Sequence, residues 1–79
     1  MSTQRFRTLD VRPLLKRGGE PFSVIRQEID SLKLDEGLIL LTPFLPSPLI
    51  ENLKNSGFAA RPQSLADGSW QTIFTRESS

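Results

Sequence analysis

The chain has 79 residues, carries a formal net charge of +1, and contains neither cysteine nor histidine. A chain of this length forms one domain, and without cysteine it has no disulfide and no thiol chemistry. The missing histidine removes the usual metal ligand and the usual proton shuttle near neutral pH, so we expect no metal site, no cofactor and no catalytic residues.

Basic residues concentrate at the start of the chain. Residues 1–17 contain five basic side chains against Asp10 alone, whereas the remaining residues contain five basic and eight acidic ones. This distribution is typical of a solvated segment, and it also fits a docking surface for an anion or an acidic partner.

Hydropathy gives no sign of a membrane segment. No apolar run approaches the roughly 20 residues that a membrane-spanning helix needs. The first residues also lack the hydrophobic region of a signal peptide. We therefore expect a single cytoplasmic domain over residues 1–79, with an ordered core from about residue 6 to residue 76 and no membrane contact.

The first predicted element is a strand over Phe6–Val11, because Leu9 and Val11 alternate there with polar residues. Pro13 has no backbone donor for a sheet and is predicted to end the strand. The segment Leu14–Gly19 is then predicted to be a loop.

A helix is predicted to follow this loop. Pro21 suits the first position of a helix, where its missing N–H is not needed. Apolar residues then recur every three or four positions and form one helical face, at Phe22, Ile25, Ile29 and Leu32. The helix is predicted to end near Lys33.

A second strand and a second helix come next. Leu38–Thr42 is an apolar run without alternation, which predicts a central strand. Ser47 and Pro48 predict the N-cap and the first position of a helix, and Gly57 predicts its C-terminal end. The inward face of this helix is predicted to consist of Leu49, Ile50 and Leu53.

The last part of the chain predicts a β-hairpin. Ala59–Ala66 and Ser69–Thr75 flank Asp67-Gly68, a dipeptide that favours a two-residue type I′ turn. The resulting register pairs residues across the hairpin, Leu65 with Trp70 and Arg61 with Phe74.

Together these elements predict an α+β fold with the order β-α-β-α-β-β. The first crossover joins neighbouring parallel strands. Pro62 places the third strand at a sheet edge, so the fourth strand lies inward, beside the second. The prediction is a two-layer α/β sandwich, with two helices on one face of a mixed four-stranded sheet and with Trp70 and Phe74 facing the helices. The opposite face is predicted to be only partly protected.

The order and spacing of four short motifs resemble those of a known family. The motifs are Leu9-Asp10-Val11-Arg12, Glu20-Pro21-Phe22, Ser47-Pro48-Leu49 and Gly57-Phe58. From about Thr8 to Arg76 the chain resembles the TusA/SirA-like family, and most closely its uncharacterised branch, DUF2249. The resemblance implies the same β-α-β-α-β-β sandwich.

The resemblance also implies what the chain lacks. Characterised members of the family carry sulfur as a persulfide on the cysteine of a Cys-Pro-x-Pro motif. That motif falls on Gly18-Gly19-Glu20-Pro21, with Gly18 at the cysteine position, so persulfide transfer is not implied. The uncharacterised branch often has a histidine and acidic residues after the second strand. Thr42–Pro46 contains neither, so a metal or haem role is not implied.

The leading candidate site is the turn Gly18-Gly19-Glu20-Pro21 with the residues before it. Free N–H groups at a helix start can hold an anion, and the flanking basic residues would assist, namely Arg12, Lys16 and Arg17. The alternative is a flexible turn in which Glu20 complements the helix dipole. Asp10 and Arg12 either bind a ligand at the end of the first strand or form a local polar pair.

Apolar residues of two loops form a second candidate, namely Leu14, Leu15, Phe44, Leu45 and Pro46. They make either a patch for a protein partner or a cap over the small core. Trp70 would stack on a nucleic-acid base or pack in the core. Because it lacks basic and aromatic neighbours, the core role is favoured.

The sequence therefore favours a non-catalytic module that binds a protein partner or a small anionic ligand. One alternative is an accessory docking component of a sulfur-relay or redox system, in which a partner owns the cysteine and docks on residues 12–17. A second alternative is nucleic-acid binding through the basic N-terminal segment, which the acidic remainder of the chain disfavours. No oligomeric state follows from the pattern.

Overall fold

The computed structural model describes residues 5–77, which form four strands and three helices. In chain order these elements are β1 (Arg5–Asp10), α1 (Arg12–Lys16), α2 (Pro21–Asp30), β2 (Glu36–Thr42), α3 (Ser47–Asn55), β3 (Phe58–Ser64) and β4 (Trp70–Arg76). The predicted domain over residues 1–79 also includes residues 1–4 and 78–79, which lie outside the described residues. The predicted order is present, with α1 added.

The sheet is mixed and has the strand order β1-β2-β4-β3. β1 runs parallel to β2, whereas β4 is antiparallel to both β2 and β3. Pro62 lies in β3 at the sheet edge, which confirms that the proline-containing strand is displaced outward and that β4 lies beside β2. The fold is the predicted α+β sandwich with a mixed four-stranded sheet.

The core lies between α2, α3 and one face of the sheet. Leu38 and Leu40 of β2 and Phe74 of β4 are completely buried, and they are neighbours across the β2–β4 ladder. The remaining buried apolar residues come from every layer, namely Val11, Ile25, Ile29, Leu32, Leu49, Leu53 and Phe58. No helix among residues 5–77 is long and apolar enough to cross a membrane.

The observed ends of α2 and α3 lie at the predicted residues or within a few residues of them. α2 begins at Pro21, as predicted, and ends at Asp30, before the predicted end near Lys33. α3 begins at Ser47 after Pro46, so Ser47 is the first helical residue and not the N-cap. Gly57 follows α3 with a φ of +91°, the left-handed conformation that glycine supplies at a helix end.

The predicted loop over Leu14–Gly19 is wrong, because Arg12–Lys16 forms the short helix α1. Pro13 lies in the first turn of this helix, where a proline costs no hydrogen bond. The Leu15 N–H donates to the Val11 carbonyl over 2.9 Å. Pro13 therefore starts a helix instead of only ending a strand.

The predicted type I′ turn and its register are also wrong. Gly68 has a φ of +89°, but Asp67 does not have positive φ, so the turn is a three-residue loop over residues 66–68. The N–H and the hydroxyl of Ser69 both donate to Oδ1 of Asp67, which holds that side chain in an Asx turn. Arg61 consequently pairs with Ile73, and Ser64 pairs with Trp70.

Two aromatic residues differ from the prediction in their burial. Phe22 is 56% exposed although its spacing places it on the buried face of α2. Phe22 lies in the first turn of α2, at the N-terminal end of the helix, where its ring borders a pocket and not the core. Trp70 is half-buried at the start of β4, whereas Phe74 on the same face is fully buried as predicted.

Candidate functional site

The glycines of the predicted anion turn complete the end of α1. Gly18 has a φ of +77°, and its N–H donates to the Leu15 carbonyl over 3.0 Å. The Gly19 N–H donates to the Leu14 carbonyl over 2.9 Å. These two bonds form a Schellman motif, which satisfies the last carbonyls of a helix. A Cβ on Gly19 would lie 2.3 Å from Leu14 Cδ1, so a larger residue there would require the Leu14 side chain to move.

The start of α2 is already occupied by a carboxylate of the same chain. Glu20 is the N-cap, and its side chain accepts hydrogen bonds from the N–H groups of Phe22 and Ser23. The Ser23 hydroxyl also donates to it over 2.6 Å. These hydrogen bonds, led by that from the Ser23 hydroxyl, hold the pKa of Glu20 below its ordinary value. Because Pro21 has no N–H, the donors of this turn are satisfied internally.

Asp10 and Arg12 form a bidentate pair that continues along one end of the sheet to the β3–β4 turn. Arg12 Nε and Nη2 lie 2.9 Å from the two carboxylate oxygens of Asp10. Arg12 Nη1 reaches Ser69 Oγ at 3.3 Å and Asp67 Oδ2 at 3.5 Å. The guanidinium therefore joins the end of β1 to the β3–β4 turn, across the end of β2.

The electrostatics of this network keep both acids ionised. The hydrogen bond from the Arg12 side chain holds the pKa of Asp10 below its ordinary value. The Ser69 hydroxyl, with smaller help from Arg12, does the same for the pKa of Asp67. One guanidinium is shared by two carboxylates, so the group carries a net charge of −1. Arg12 is thus a structural cation, already engaged by acids of its own chain.

Lys16 and Arg17 are the basic residues of the predicted site that stay open to solvent. Both are exposed at the C-terminal end of α1, where a positive charge is favourable against the helix dipole. Among the residues that the structure describes, neither side chain has a hydrogen bond or an ion pair. By contrast, Arg7 of the same basic segment pairs with Glu28 at 2.8 Å. The basic segment therefore contains internally paired residues, Arg7 and Arg12, and cations without a side-chain partner among the described residues, which include Lys16 and Arg17.

Next to these cations lies an apolar cavity of about 100 Å³, here called the α2 pocket. It is bounded by the start of α2, by α1 and by the loop between β2 and α3, with walls formed by Val11, Leu15, Pro21, Phe22, Ile25, Thr42, Phe44, Pro46, Pro48 and Leu49. The hydroxyl of Thr42, the one polar side chain in this wall, donates to the Phe44 carbonyl. Phe22 and Phe44 are 56% and 52% exposed and form the rim.

A second depression of about 220 Å³, here called the α2–α3 groove, continues from the pocket between the two helices. Its floor is formed by Ile25, Leu49 and Leu53, and its edges by Arg26 and Asn52. Phe22, Ile25 and Leu49 line both depressions, so the two form one apolar surface divided by the Phe22 ring.

The structure combines parts of both predicted sites and adds others. Of the apolar loop residues, Leu15, Phe44 and Pro46 line the α2 pocket, whereas Leu14 and Leu45 do not. Phe22, Val11 and Leu49 line the pocket without having been predicted as site residues. The sequence signal for Phe22 was Pro21, because this proline marks the first turn of α2 and therefore places Phe22 at the exposed start of the helix. No group of three or more acidic side chains within residues 5–77 is arranged to hold a metal ion.

The fold and the pocket are those of a small α+β domain with a mixed four-stranded sheet. A family model described as "Uncharacterized conserved protein (DUF2249)" matches residues 8–76. The chain therefore belongs to the DUF2249 family. No curated protein and no solved structure matches it.

Proposed function

We propose that this protein is a non-catalytic binding module whose α2 pocket takes an apolar side chain of a protein partner. The observation that carries the proposal is a solvent-open pocket whose walls are apolar and whose rim consists of two half-exposed phenylalanines, Phe22 and Phe44. Covering such rings removes apolar surface from water, which stabilises a complex by about 25 cal/mol per Å² before the costs of association.

The charges around the pocket select the kind of partner. Leu15 lies in the pocket wall, and the exposed residues Lys16 and Arg17 follow it directly in the chain, at the C-terminal end of α1. A partner that places carboxylates beside its apolar side chain would meet these free cations. We therefore propose an acidic segment with an apolar anchor, in keeping with interfaces that have an apolar centre and a polar rim.

A protein partner is favoured over a small anionic ligand. Glu20 occupies the N–H groups at the start of α2, and Arg12 is engaged by Asp10 and Asp67. An anion in this region would find only exposed lysine and arginine side chains, and exposed pairs contribute about 0–1 kcal/mol each. The apolar walls offer the larger gain.

We also propose that the domain is TusA-like in architecture. The support is the β-α-β-α-β-β order with a proline in the first turn of α2, and α1 is an addition to that pattern. An experimental structure that superposes β1, α2, β2 and α3 on a sulfur-carrier domain in the same order would support this. A different connection between those elements would contradict it.

The binding proposal is tested with three synthetic peptides of equal length. The acidic anchor peptide has one phenylalanine flanked on both sides by aspartate, the second peptide has lysine in place of aspartate, and the third has alanine in place of phenylalanine. We expect the acidic anchor peptide to bind most tightly, as measured by isothermal titration calorimetry. Equal affinity for all three, or binding of none, would overturn the proposal.

Charge reversal tests whether Lys16 and Arg17 contribute to binding of the acidic segment. Lys16→Glu with Arg17→Glu removes the two free cations that follow Leu15 and should weaken binding of the acidic anchor peptide while leaving the apolar pocket walls unchanged. Lys33→Glu with Lys54→Glu is the matched control, because it makes the same change in net charge at two exposed lysines that line neither the pocket nor the groove. Equal loss of affinity in the control would mean that net charge, and not the position of these two cations, determines binding.

A further inference from the structure

The short helix α1 supplies both kinds of partner contact in the proposed function. Leu15 forms part of the wall of the α2 pocket, and Lys16 and Arg17 at the end of α1 are exposed cations. A helix of five residues is too short to be stable alone, and none of the residues of α1 is buried, although Leu15 packs against the core. The position of α1 therefore depends on what holds its two ends.

The C-terminal end of α1 is closed by the Schellman motif of Gly18 and Gly19, whereas its N-terminal end is held by Asp10 and Arg12. The N–H of Arg12, the first residue of the helix, donates to Asp10 Oδ1 over 3.0 Å. The Arg12 side chain adds two hydrogen bonds of 2.9 Å to the same carboxylate. Because Asp10 belongs to β1, the first residue of α1 is fixed to the end of that strand.

The remaining nitrogen of the Arg12 guanidinium reaches a third part of the fold. Nη1 lies 3.3 Å from Ser69 Oγ and 3.5 Å from Asp67 Oδ2, at the β3–β4 turn. Ser69 is buried, and its N–H and hydroxyl both donate to Asp67 Oδ1, so the turn presents these oxygens in a defined position. Neither Arg12 nor Asp67 lines the α2 pocket. The turn thus restrains a helix that forms part of a pocket which the turn does not touch.

We propose that Arg12 is a positioning residue for partner binding, because its contacts with Asp10 and with the β3–β4 turn hold α1 where Leu15 completes the pocket wall. This inference rests on the proposed function and adds that the turn is coupled to the pocket. When the restraint is weakened, α1 occupies the binding-competent position for a smaller fraction of the time, and the apparent affinity falls by that fraction. The ion pairs of Arg12 are partly exposed, so the expected effect is about two- to fivefold.

Arg12→Lys tests the geometry at constant net charge, because lysine keeps the cation but loses the planar fork that reaches both partners. Arg7→Lys is the matched control, since Arg7 also pairs with an acid of another element, Glu28 at 2.8 Å, and Glu28 does not line the pocket. We expect Arg12→Lys to bind the acidic anchor peptide about two- to fivefold more weakly, and Arg7→Lys to bind it as the wild type does. Wild-type affinity in Arg12→Lys would overturn the proposal.

Asp67→Ser tests the coupling from the β3–β4 turn. Serine keeps a hydroxyl that can serve the turn, while the negative charge beside Arg12 is lost. Loss of an acid should by itself strengthen binding of an acidic peptide, so weaker binding identifies positioning and not charge. Asp30→Ser is the matched control, because Asp30 pairs with Arg26 at 3.4 Å and is 61% exposed, against 3.5 Å and 64% for Asp67. We expect weaker binding for Asp67→Ser alone; an affinity at or above that of the wild type would overturn the proposal.

Amide hydrogen exchange gives a readout that needs no partner. The N–H groups of Leu15, Gly18 and Gly19 donate within α1 and its Schellman end, so they exchange faster when α1 loosens. We expect about two- to fivefold faster exchange of these amides in Arg12→Lys, with unchanged exchange in β4. Unchanged exchange at all three amides would overturn the role of Arg12. If no peptide binds the wild type, the proposed function fails, and the exchange still decides whether Arg12 holds α1.

Discussion

Replacing Phe22 with alanine removes the ring that the α2 pocket and the α2–α3 groove share, while leaving the core beneath it in place. Phe22 is 56% exposed, whereas its neighbour Ile25 on the same helix face is 3% exposed. Phe22→Ala is therefore predicted to separate partner binding from fold stability.

The stability cost follows from the burial of the side chain. Full burial of a phenylalanine is worth about 1.5–3 kcal/mol, and less than half of this ring is covered, so the predicted loss is about 1 kcal/mol. A domain of 79 residues is expected to have roughly 4–12 kcal/mol of stability, so the variant stays folded. Binding depends more strongly on the ring. Truncating an aromatic hot spot costs at least about 2 kcal/mol, which is about 30-fold in affinity.

Urea denaturation followed by circular dichroism measures the stability change, and calorimetry with the acidic anchor peptide measures the affinity. Val24→Ala is the matched control, because Val24 lies on α2, is 36% exposed and does not line the pocket. Unchanged peptide affinity in a folded Phe22→Ala protein would refute the assigned role of the pocket. Loss of the fold would refute the assignment of Phe22 to the rim.

Three further predictions concern stability, each read from the urea midpoint. Thr72→Val should stabilise the protein by about 1 kcal/mol, since Thr72 Oγ1 is fully buried without a hydrogen-bond partner in the described chain; a lower midpoint would contradict this. Gly18→Ala should destabilise it by about 1 kcal/mol or more, because φ is +77° there and the space around it is open; no change would contradict the Schellman end of α1. Asp10, Glu20 and Asp67 have lowered pKa values in the folded protein, so the unfolded chain binds more protons in acid. Their stabilisation is complete above the ordinary values of 3.8 and 4.5 and is lost as the pH falls through the lowered ones; a midpoint that stays constant down to about pH 2 would contradict it.

The strand order could be predicted because it depends on the backbone preferences of single residues, which do not require a side-chain partner. Pro62 cannot donate to a sheet ladder, and this single fact places β3 at the edge and β4 beside β2. Pro21 and Gly57 likewise mark the start of α2 and the end of α3 through their own backbone preferences. Such residues impose the same conformation whatever packs around them.

Features that depend on side-chain partners were not predictable in the same way. Asp67-Gly68 is typical of a two-residue turn, but the Asp67 carboxylate binds Ser69 and keeps Asp67 out of positive φ, which shifts the register by one residue. This shift moves Arg61 from the helical side to the opposite face of the sheet, beside Ile73. The face on which Arg61 lies is therefore known only from the observed register.

The candidate site shows the same limit. A helix start with nearby basic residues is typical of an anion site, yet Glu20 satisfies its N–H groups. Arg12 finds partners 57 residues away along the chain, at Ser69, a pairing that no local pattern indicates. Lys16 and Arg17 are exposed at the C-terminal end of α1 and have no side-chain partner among the described residues.

The central claim, that the α2 pocket binds an acidic segment through an apolar anchor, is tested most directly by amide NMR. The acidic anchor peptide is titrated into the isotope-labelled protein, and the shifted resonances are mapped on the fold. We predict shifts concentrated in residues 15–25 and 44–49, with those of Lys16 and Arg17 lost when lysine replaces aspartate in the peptide. Shifts confined to residues outside these two ranges, or no shifts with the acidic anchor peptide, would contradict the account.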